Sequence, residues 1–392
     1  MESNLLYEYN PWWEETYKTE DFLPRVGLQK KLSSLMTSKA VIFITGLRRV
    51  GKTTLMKLAI RELLTDGIKP NHIFYISMDD YLLQDHNILD VVNKYRELQR
   101  LPLDTKVYIF LDEITYQKDF RQQLKTLHDR THCKIIASAS SSSALRDQKG
   151  WLTGRERHLE VQPLQFEEFL LFKDIKVKKR DERLLNAYFE DYMQIGGMPE
   201  YVLTQDREYL TALLDDIIYK DIIAHHGIKN PQVIKDFFHL LMERAGKQIS
   251  INKIANILGI SPDTAKRYLT MFEETYLIYL VPRFGKTNEK IMSSKKIYAA
   301  DLGIRHMFTG FRDKGAIFEN AVFTMIMHKN PRYYCHEGIE LDFITEDNIL
   351  IEVKYNSDLN DKQLALFESV QASQKIIVRN FNDLSKISNI RD

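Results

Sequence analysis

The sequence predicts an α/β fold in three parts: a parallel sheet covered by helices, a helical middle, and a small C-terminal α/β domain. Three observations predict it. Apolar runs alternate with amphipathic segments through the first 160 or so residues, the pattern of a parallel sheet packed on both faces. A glycine-rich turn joins the first such run to a long helix. From about residue 297 a second alternation begins: a strand, a helix, then three closely spaced strands.

The chain has 392 residues. At roughly 100–200 residues per domain, that allows two to four domains. Boundaries are expected to give domains 1–172, 173–296 and 297–392. Lys and Arg total 55 against 54 Asp and Glu, a net charge of +1. This excludes a histone-like polycation but not a local basic patch. The sequence is 44% hydrophobic and 28% charged, which excludes a disordered chain. Cys133 and Cys335 form no CxxC pair, which argues against a cysteine zinc site and fits a reducing compartment. The opening MESNLLYEYNPWWEE lacks the apolar segment of a signal peptide, and no stretch is long enough to span a bilayer. The expectation is a cytoplasmic protein without a membrane segment.

The elements follow in order. Residues 1–24 are acidic, with Trp12 and Trp13 as packing residues. AVIFIT (40–45) is a buried strand, and TTLMKLAIRELLTDG (53–67) is a helix stopped by Gly67. HIFYISM (72–78), KVYIFLDEI (106–114) and CKIIASAS (133–140) are further strands. PLQFEEFLLF (163–172) leads into the mixed-charge stretch 173–183, and 183–275 is mainly helical.

Gly46-Leu47-Arg48-Arg49-Val50-Gly51-Lys52-Thr53 matches G-x-x-x-x-G-K-[ST] between a strand and a helix. The glycines let successive N–H groups turn toward phosphate oxygens at a helix N-terminus. Lys52 would reach the β- and γ-phosphates, Thr53 would hold Mg²⁺, and Thr54 follows in the same turn. This predicts a P-loop NTPase sheet. Arg48 and Arg49 either touch nucleotide or a neighbouring subunit, or are solvated charges.

Val107 to Glu113 fits a strand delivering Asp112 to the Mg²⁺ shell, with Glu113 as the base that polarises water. Ser138 ends the next strand, within a serine-rich turn (Ser138, Ser140 to Ser143), where a hydroxyl either contacts the γ-phosphate or only closes the turn. Arg155 either serves as an arginine finger on a neighbour's nucleotide, which implies a homo-oligomer, or makes a structural ion pair. NPWW, GLRRVGKT, LDEI, the serine turn, LTGR, PLQFEEFL and GGMPEYV follow one another. In this order the chain resembles archaeal and bacterial ATPases of the extended AAA superfamily. The resemblance implies an ATP-binding core with an additional sheet strand and a following domain of unassigned function. ATP rather than GTP rests on that likeness.

In the middle, 248–259 is a helix ending in glycine, and Ser261-Pro262-Asp263 caps a second. This is a helix-turn-helix pattern, and YLIYLVPRF (276–284) is the first strand of a wing. Lys266 and Arg267 on the second helix, with Arg283, Lys286, Lys290, Lys295 and Lys296, are candidate contacts to nucleic acid, DNA foremost. A solvated face or packing module is the alternative.

At the C-terminus, Glu319 lies on a helix, Asp342 on a strand, and Glu352 and Lys354 two apart on the next strand, hence on one face. Paired carboxylates repel unless a cation joins them, which suits Mg²⁺ or Mn²⁺ held by Glu319, Asp342 and Glu352, with Lys354 stabilising a pentavalent phosphate. The order resembles the PD-(D/E)XK nuclease superfamily, with Leu341 in place of the usual proline. The expected function is an ATPase coupled to a DNA-associated winged helix and a nuclease-like domain. The alternative is an ATP-dependent switch or protein-interaction module with an inert C-terminal domain.

Overall fold

The computed structural model describes residues 3–142 and 152–388, apart from 16, 18–21 and 182. Ser143 of the serine turn, and Glu2, Lys18, Glu20 and Asp21 of the acidic lead-in, lie outside the described residues. The chain forms two compact units, Met1–Gln162 and Pro163–Asp392.

In the first unit, five parallel strands are β1 (Val41–Thr45), β2 (Ile73–Ser77), β3 (Val107–Asp112), β4 (Cys133–Ala139) and β5 (Glu156–Glu160). Their order is β2-β3-β4-β1-β5, with β4 inserted as an additional strand between β1 and β3. Helices cover both faces of such a sheet, so its inner strands read as unbroken apolar runs; every residue of β1 is buried. Burying each large core side chain, Phe43 and Phe74 among them, contributes about 1.5–3 kcal/mol over leaving it exposed.

The lead-in closes the β2 edge of the sheet. The Asn10 amide donates to the Tyr75 carbonyl at 2.9 Å, and the Tyr75 N–H donates to Asn10 Oδ1 at 2.7 Å. The Trp12 and Trp13 indole N–H groups both donate to the Ile73 carbonyl, at 3.1 and 3.0 Å. An unpaired edge would otherwise expose these backbone groups.

The second unit begins ahead of the boundary expected at 172. The helix Phe166–Phe172 buries Phe166 and Phe169 in a cluster with Phe189, Tyr192 and Phe318, so 163–172 belong here. Gly196 and Gly197 form a junction in this core. Gly196 has φ +81, and a Cβ there would lie 2.3 Å from the Gly303 nitrogen; one on Gly197 would lie 2.3 Å from the Leu164 carbonyl oxygen. Asp301 accepts from the Gly197 N–H at 2.6 Å and from the Ile304 N–H at 3.0 Å. Burial pushes its carboxyl up to about 6.

Helices Pro231–Glu243, Ile251–Leu258 and Pro262–Glu274 follow. Gly259, at φ +65, ends the second helix, and Ser261 Oγ accepts from the Thr264 N–H at 3.1 Å to start the third. Phe237, Phe238 and Phe272 pack between them. β6 (Ile278–Val281) and β7 (Lys296–Ala299) then form an antiparallel pair joined through the short helix Thr287–Met292. The strand expected to open the C-terminal domain at 297 is therefore the second strand of this hairpin.

The helix Lys314–Ile326 precedes β8 (Arg332–His336), β9 (Ile339–Ile344) and β10 (Ile349–Val353). The helix Asp361–Ser369 and β11 (Gln374–Val378) complete a sheet of order β11-β10-β9-β8. β8, β9 and β10 are antiparallel neighbours, and β11 is parallel to β10. Ile317, Phe318, Ala321 and Val322 of the first helix join Phe343, Ile351 and Val378 in one core.

Candidate nucleotide site

The loop after β1 is shaped by glycine at two positions. Gly46 has φ +135, and a Cβ there would lie 2.2 Å from the Val161 carbonyl oxygen; Gly51 has φ +98. Leu47 and Val50 point into the core, so only their backbones face outward in the loop. Arg25, which sequence reasoning missed, donates to the Val50 carbonyl at 3.2 Å and the Gln162 carbonyl at 2.9 Å, bracing the loop from behind. The helix Lys52–Thr65 starts at the loop's end. Lys52 is buried and its Nζ donates to the Gly46 and Leu47 carbonyls at 3.0 and 3.1 Å.

Asp112 ends β3, is 2% exposed, and collects three hydroxyl donors. Thr53 Oγ1 donates to Oδ2 at 2.5 Å, the Tyr75 hydroxyl to Oδ2 at 2.9 Å, and Ser138 Oγ to Oδ1. Burial first, then the Asp112 charge, raises the Tyr75 phenol well above its ordinary range, so it remains a donor. Tyr75 was not anticipated, since it lies within the continuous apolar run of β2 and no motif marks it. The Thr53 hydroxyl and the Asp112 carboxylate are hard oxygen donors at hydrogen-bond separation, and fit Mg²⁺. The loop N–H groups and Lys52 fit a triphosphate.

Glu113 follows in a left-handed conformation, φ 47 and ψ 49. A non-glycine residue there bears strain of about 1–2 kcal/mol. Its N–H donates to neighbouring Ser138 Oγ at 2.9 Å. Ser140 Oγ lies 2.5 Å from both Glu113 carboxylate oxygens. Arg155, beyond the loop region, donates to Asp129 Oδ1 and Oδ2 at 2.6 and 2.8 Å, and is 45% exposed at its side chain. The ion-pair alternative is thus seen within this chain. Arg48 and Arg49 lie in the loop, with Arg49 at φ 63.

In the second unit the structure gathers Glu319, Asp342, Glu352 and Lys354, and adds three residues that sequence reasoning did not place there, Lys296, Tyr298 and Glu340. Lys296 Nζ lies 2.7 Å from Glu319 Oε1, 2.8 Å from Glu340 Oε1 and 3.1 Å from Asp342 Oδ1. Lys296 and Tyr298 share a face of β7, and Glu340 and Asp342 a face of β9, a period-two pattern visible in the sequence. The Tyr298 hydroxyl donates to Glu319 Oε1 at 2.6 Å. Glu352 is fully buried; its Oε2 accepts from the Asp342 N–H at 3.0 Å, and Oε1 sits 3.1 Å from Lys354 Nζ. The Val353 N–H donates to Asp342 Oδ2 at 2.9 Å. Among the described residues no group of three or more His, Cys, Asp or Glu is placed to hold a metal ion. The expected set of Glu319, Asp342 and Glu352 is instead joined by an ammonium and backbone N–H groups.

The nucleic-acid candidates divide. Lys266 and Arg267 are exposed on the helix Pro262–Glu274, and Lys286 and Lys295 are exposed around the connection of the hairpin, with Lys290 half-buried. Arg283 is half-buried and donates to the Cys335 carbonyl at 2.7 Å, and Lys296 is 1% exposed. These two are tied into the fold and leave the basic set. No helix among the described residues is long and apolar enough to cross a membrane.

A family profile described as an AAA domain matches residues 38–170, and one for a domain of unknown function (DUF8612) matches residues 186–315. The chain is 30% identical over 363 residues to the uncharacterized protein MJ1544 of Methanocaldococcus jannaschii, covering 86% of this chain and 80% of that one. It is 27% identical over 386 residues to MJ1637 of the same organism, covering 87% and 80%. A Walker-type ATPase of Pyrococcus abyssi, PABY2304, superposes with a TM-score of 0.47 at 14% identity, covering 76% of this chain and 99% of that one. The level and extent of the match to MJ1544 place the chain in that protein's family, with an AAA domain at residues 38–170.

Proposed function

We propose that the first unit binds and hydrolyses ATP, and that its nucleotide state governs engagement of nucleic acid by the second. The observation that carries this is the convergence of Lys52, Thr53, Asp112, Glu113 and Ser138 at the ends of β1, β3 and β4. The loop N–H groups and Lys52 bind the phosphates. Thr53 and Asp112 hold Mg²⁺, which when bound offsets charge on the β- and γ-phosphates. Glu113 orients a water and accepts its proton, once its carboxylate leaves Ser140. Arg155, released from Asp129, supplies a cation to the nucleotide of a neighbouring copy, which makes the active form a homo-oligomer.

In the second unit, Lys266, Arg267, Lys286 and Lys290 supply phosphate contacts for a winged-helix reading, with DNA as the partner. The C-terminal helix–strand order supports a nuclease-like fold, used here for binding rather than cutting. The test is ATP turnover of the full chain with Mg²⁺, with and without duplex DNA, single-stranded DNA or RNA. Turnover that vanishes in Glu113→Gln supports the ATPase, and persistence removes it. DNA stimulation lost in Lys266→Ala/Arg267→Ala supports the coupling. A rate indifferent to every nucleic acid favours the second reading, a switch acting on a protein partner, which the ammonium-closed acidic cluster also supports.

A further inference from the structure

We propose that the Lys296 ammonium is a built-in counter-ion that takes the place of a divalent cation among Glu319, Glu340 and Asp342, leaving the C-terminal sheet metal-free. The position is built, not incidental. Lys296 comes from the hairpin strand β7, Glu319 from the helix Lys314–Ile326, and Glu340 and Asp342 from β9. Three elements therefore converge on one nitrogen, at 2.7, 2.8 and 3.1 Å. An ammonium has three N–H donors, and three carboxylates surround this one.

Size and charge both exclude a second cation. Mg²⁺ draws its oxygen ligands to about 2.0–2.1 Å and requires near-octahedral geometry. Here the oxygens are spaced for the longer N–H···O contacts of an ammonium. A divalent ion on the same carboxylates would sit beside a buried positive charge, where repulsion is poorly screened. The remaining carboxylate, Glu352, accepts from the Asp342 N–H through Oε2, while Oε1 makes no hydrogen bond and has the Lys354 ammonium 3.1 Å away as an ion-pair partner.

The residues expected to ligate a metal thus do not fit one while Lys296 is present. The same lysine ties the β6–β7 hairpin to the C-terminal sheet, so the cluster joins two parts of the unit. The inference is independent of ATP and of nucleic acid.

The experiment counts bound Mn²⁺ from the electron paramagnetic resonance signal of the free ion, on full-length protein without nucleotide. All variants carry Asp112→Asn, which removes the P-loop contribution. With Lys296 present, adding Asp342→Asn is expected to leave the Mn²⁺ isotherm unchanged. Lys296→Met is expected to create one site at least about tenfold tighter than anything before it, lost again on adding Asp342→Asn. An isotherm weakened by Asp342→Asn while Lys296 is intact overturns the proposal, as does a folded Lys296→Met without a new site. If Lys296→Met fails to fold, the comparison with Lys296 intact decides alone.

Discussion

Ser140 Oγ sits 2.5 Å from both carboxylate oxygens of Glu113, so one hydroxyl just beyond β4 faces the whole carboxylate of the candidate base that follows β3. A hydrogen bond to a charged group contributes about 1.5–3 kcal/mol, enough to hold the carboxylate away from water. Ser140→Ala is therefore expected to raise basal ATP turnover by about tenfold to a hundredfold, since about 1.4 kcal/mol is a factor of ten. Steady-state phosphate release measures it; a fall in rate would show that Ser140 positions the base productively.

Asp112 accepts from Thr53, Tyr75 and Ser138, and one change disturbs all three contacts. Asp112→Asn is expected to lower turnover by about 10²–10³ while fluorescent-ATP binding changes far less, because charge stabilisation of this kind acts mainly in the transition state. Tyr75→Phe keeps the ring and removes one donor, so a smaller loss is expected.

Arg155 is held by Asp129 within one chain, and its proposed role requires release. Under the proposed role, Arg155→Ala is expected to lower turnover by about 10³ with ATP binding retained, the lower end of the effect of an arginine finger. Asp129→Ala, which only frees the guanidinium, is expected to leave turnover intact or raise it. Equal loss in both variants would assign the pair a purely structural role. Turnover per subunit is expected to rise with protein concentration.

Gly196 cannot carry a side chain. A Cβ there would meet the Gly303 nitrogen at 2.3 Å and Asp301 Oδ1 at 2.6 Å, at φ +81. Gly196→Ala is expected to cost about 3 kcal/mol or more, the range of overpacking combined with backbone strain. Urea unfolding of the full chain reads the loss as a lower midpoint for the second unit.

The acidic cluster makes stability depend on pH. Burial first, then the Asp342 charge, pushes the Glu352 carboxyl up to about 8 and Glu319 up to about 7, against an ordinary 4.5. Lys354 and Lys296 oppose these shifts without cancelling them. The folded state binds these protons more tightly than the unfolded chain. The contribution is therefore full below about pH 4.5 and is lost as pH rises through about 7–8. The melting temperature of the second unit is expected to fall over that window, and Glu352→Gln is expected to flatten the fall. A fall of equal size in Glu352→Gln would assign it to other groups.

The nucleotide loop was readable because its parts are local. Gly46, Gly51, Lys52 and Thr53 lie within one turn, and the apolar run before them and the helix after them are set by neighbours in sequence. Four strands of the five-stranded sheet and the three closely spaced strands of the C-terminal sheet are readable for the same reason, through apolar runs and alternation. The surroundings of Asp112 were read only in part: Thr53 follows from the loop motif as a ligand sharing Mg²⁺ with it, Ser138 is expected at the γ-phosphate or closing the turn, and no motif marks Tyr75.

Lys296 marks the limit. In sequence it is one of several lysines in a basic stretch, each a candidate phosphate contact. In the fold it is 1% exposed and surrounded by carboxylates from residues 319, 340 and 342. Arg283, from the same stretch, is drawn to the Cys335 carbonyl. By itself the sequence determined the α/β class, the P-loop and the order of the C-terminal elements, because those are written in local periodicity and spacing. Only the tertiary structure decided which cation neutralises the buried acids, because that depends on which strands lie side by side and on how deeply each charge is taken out of water.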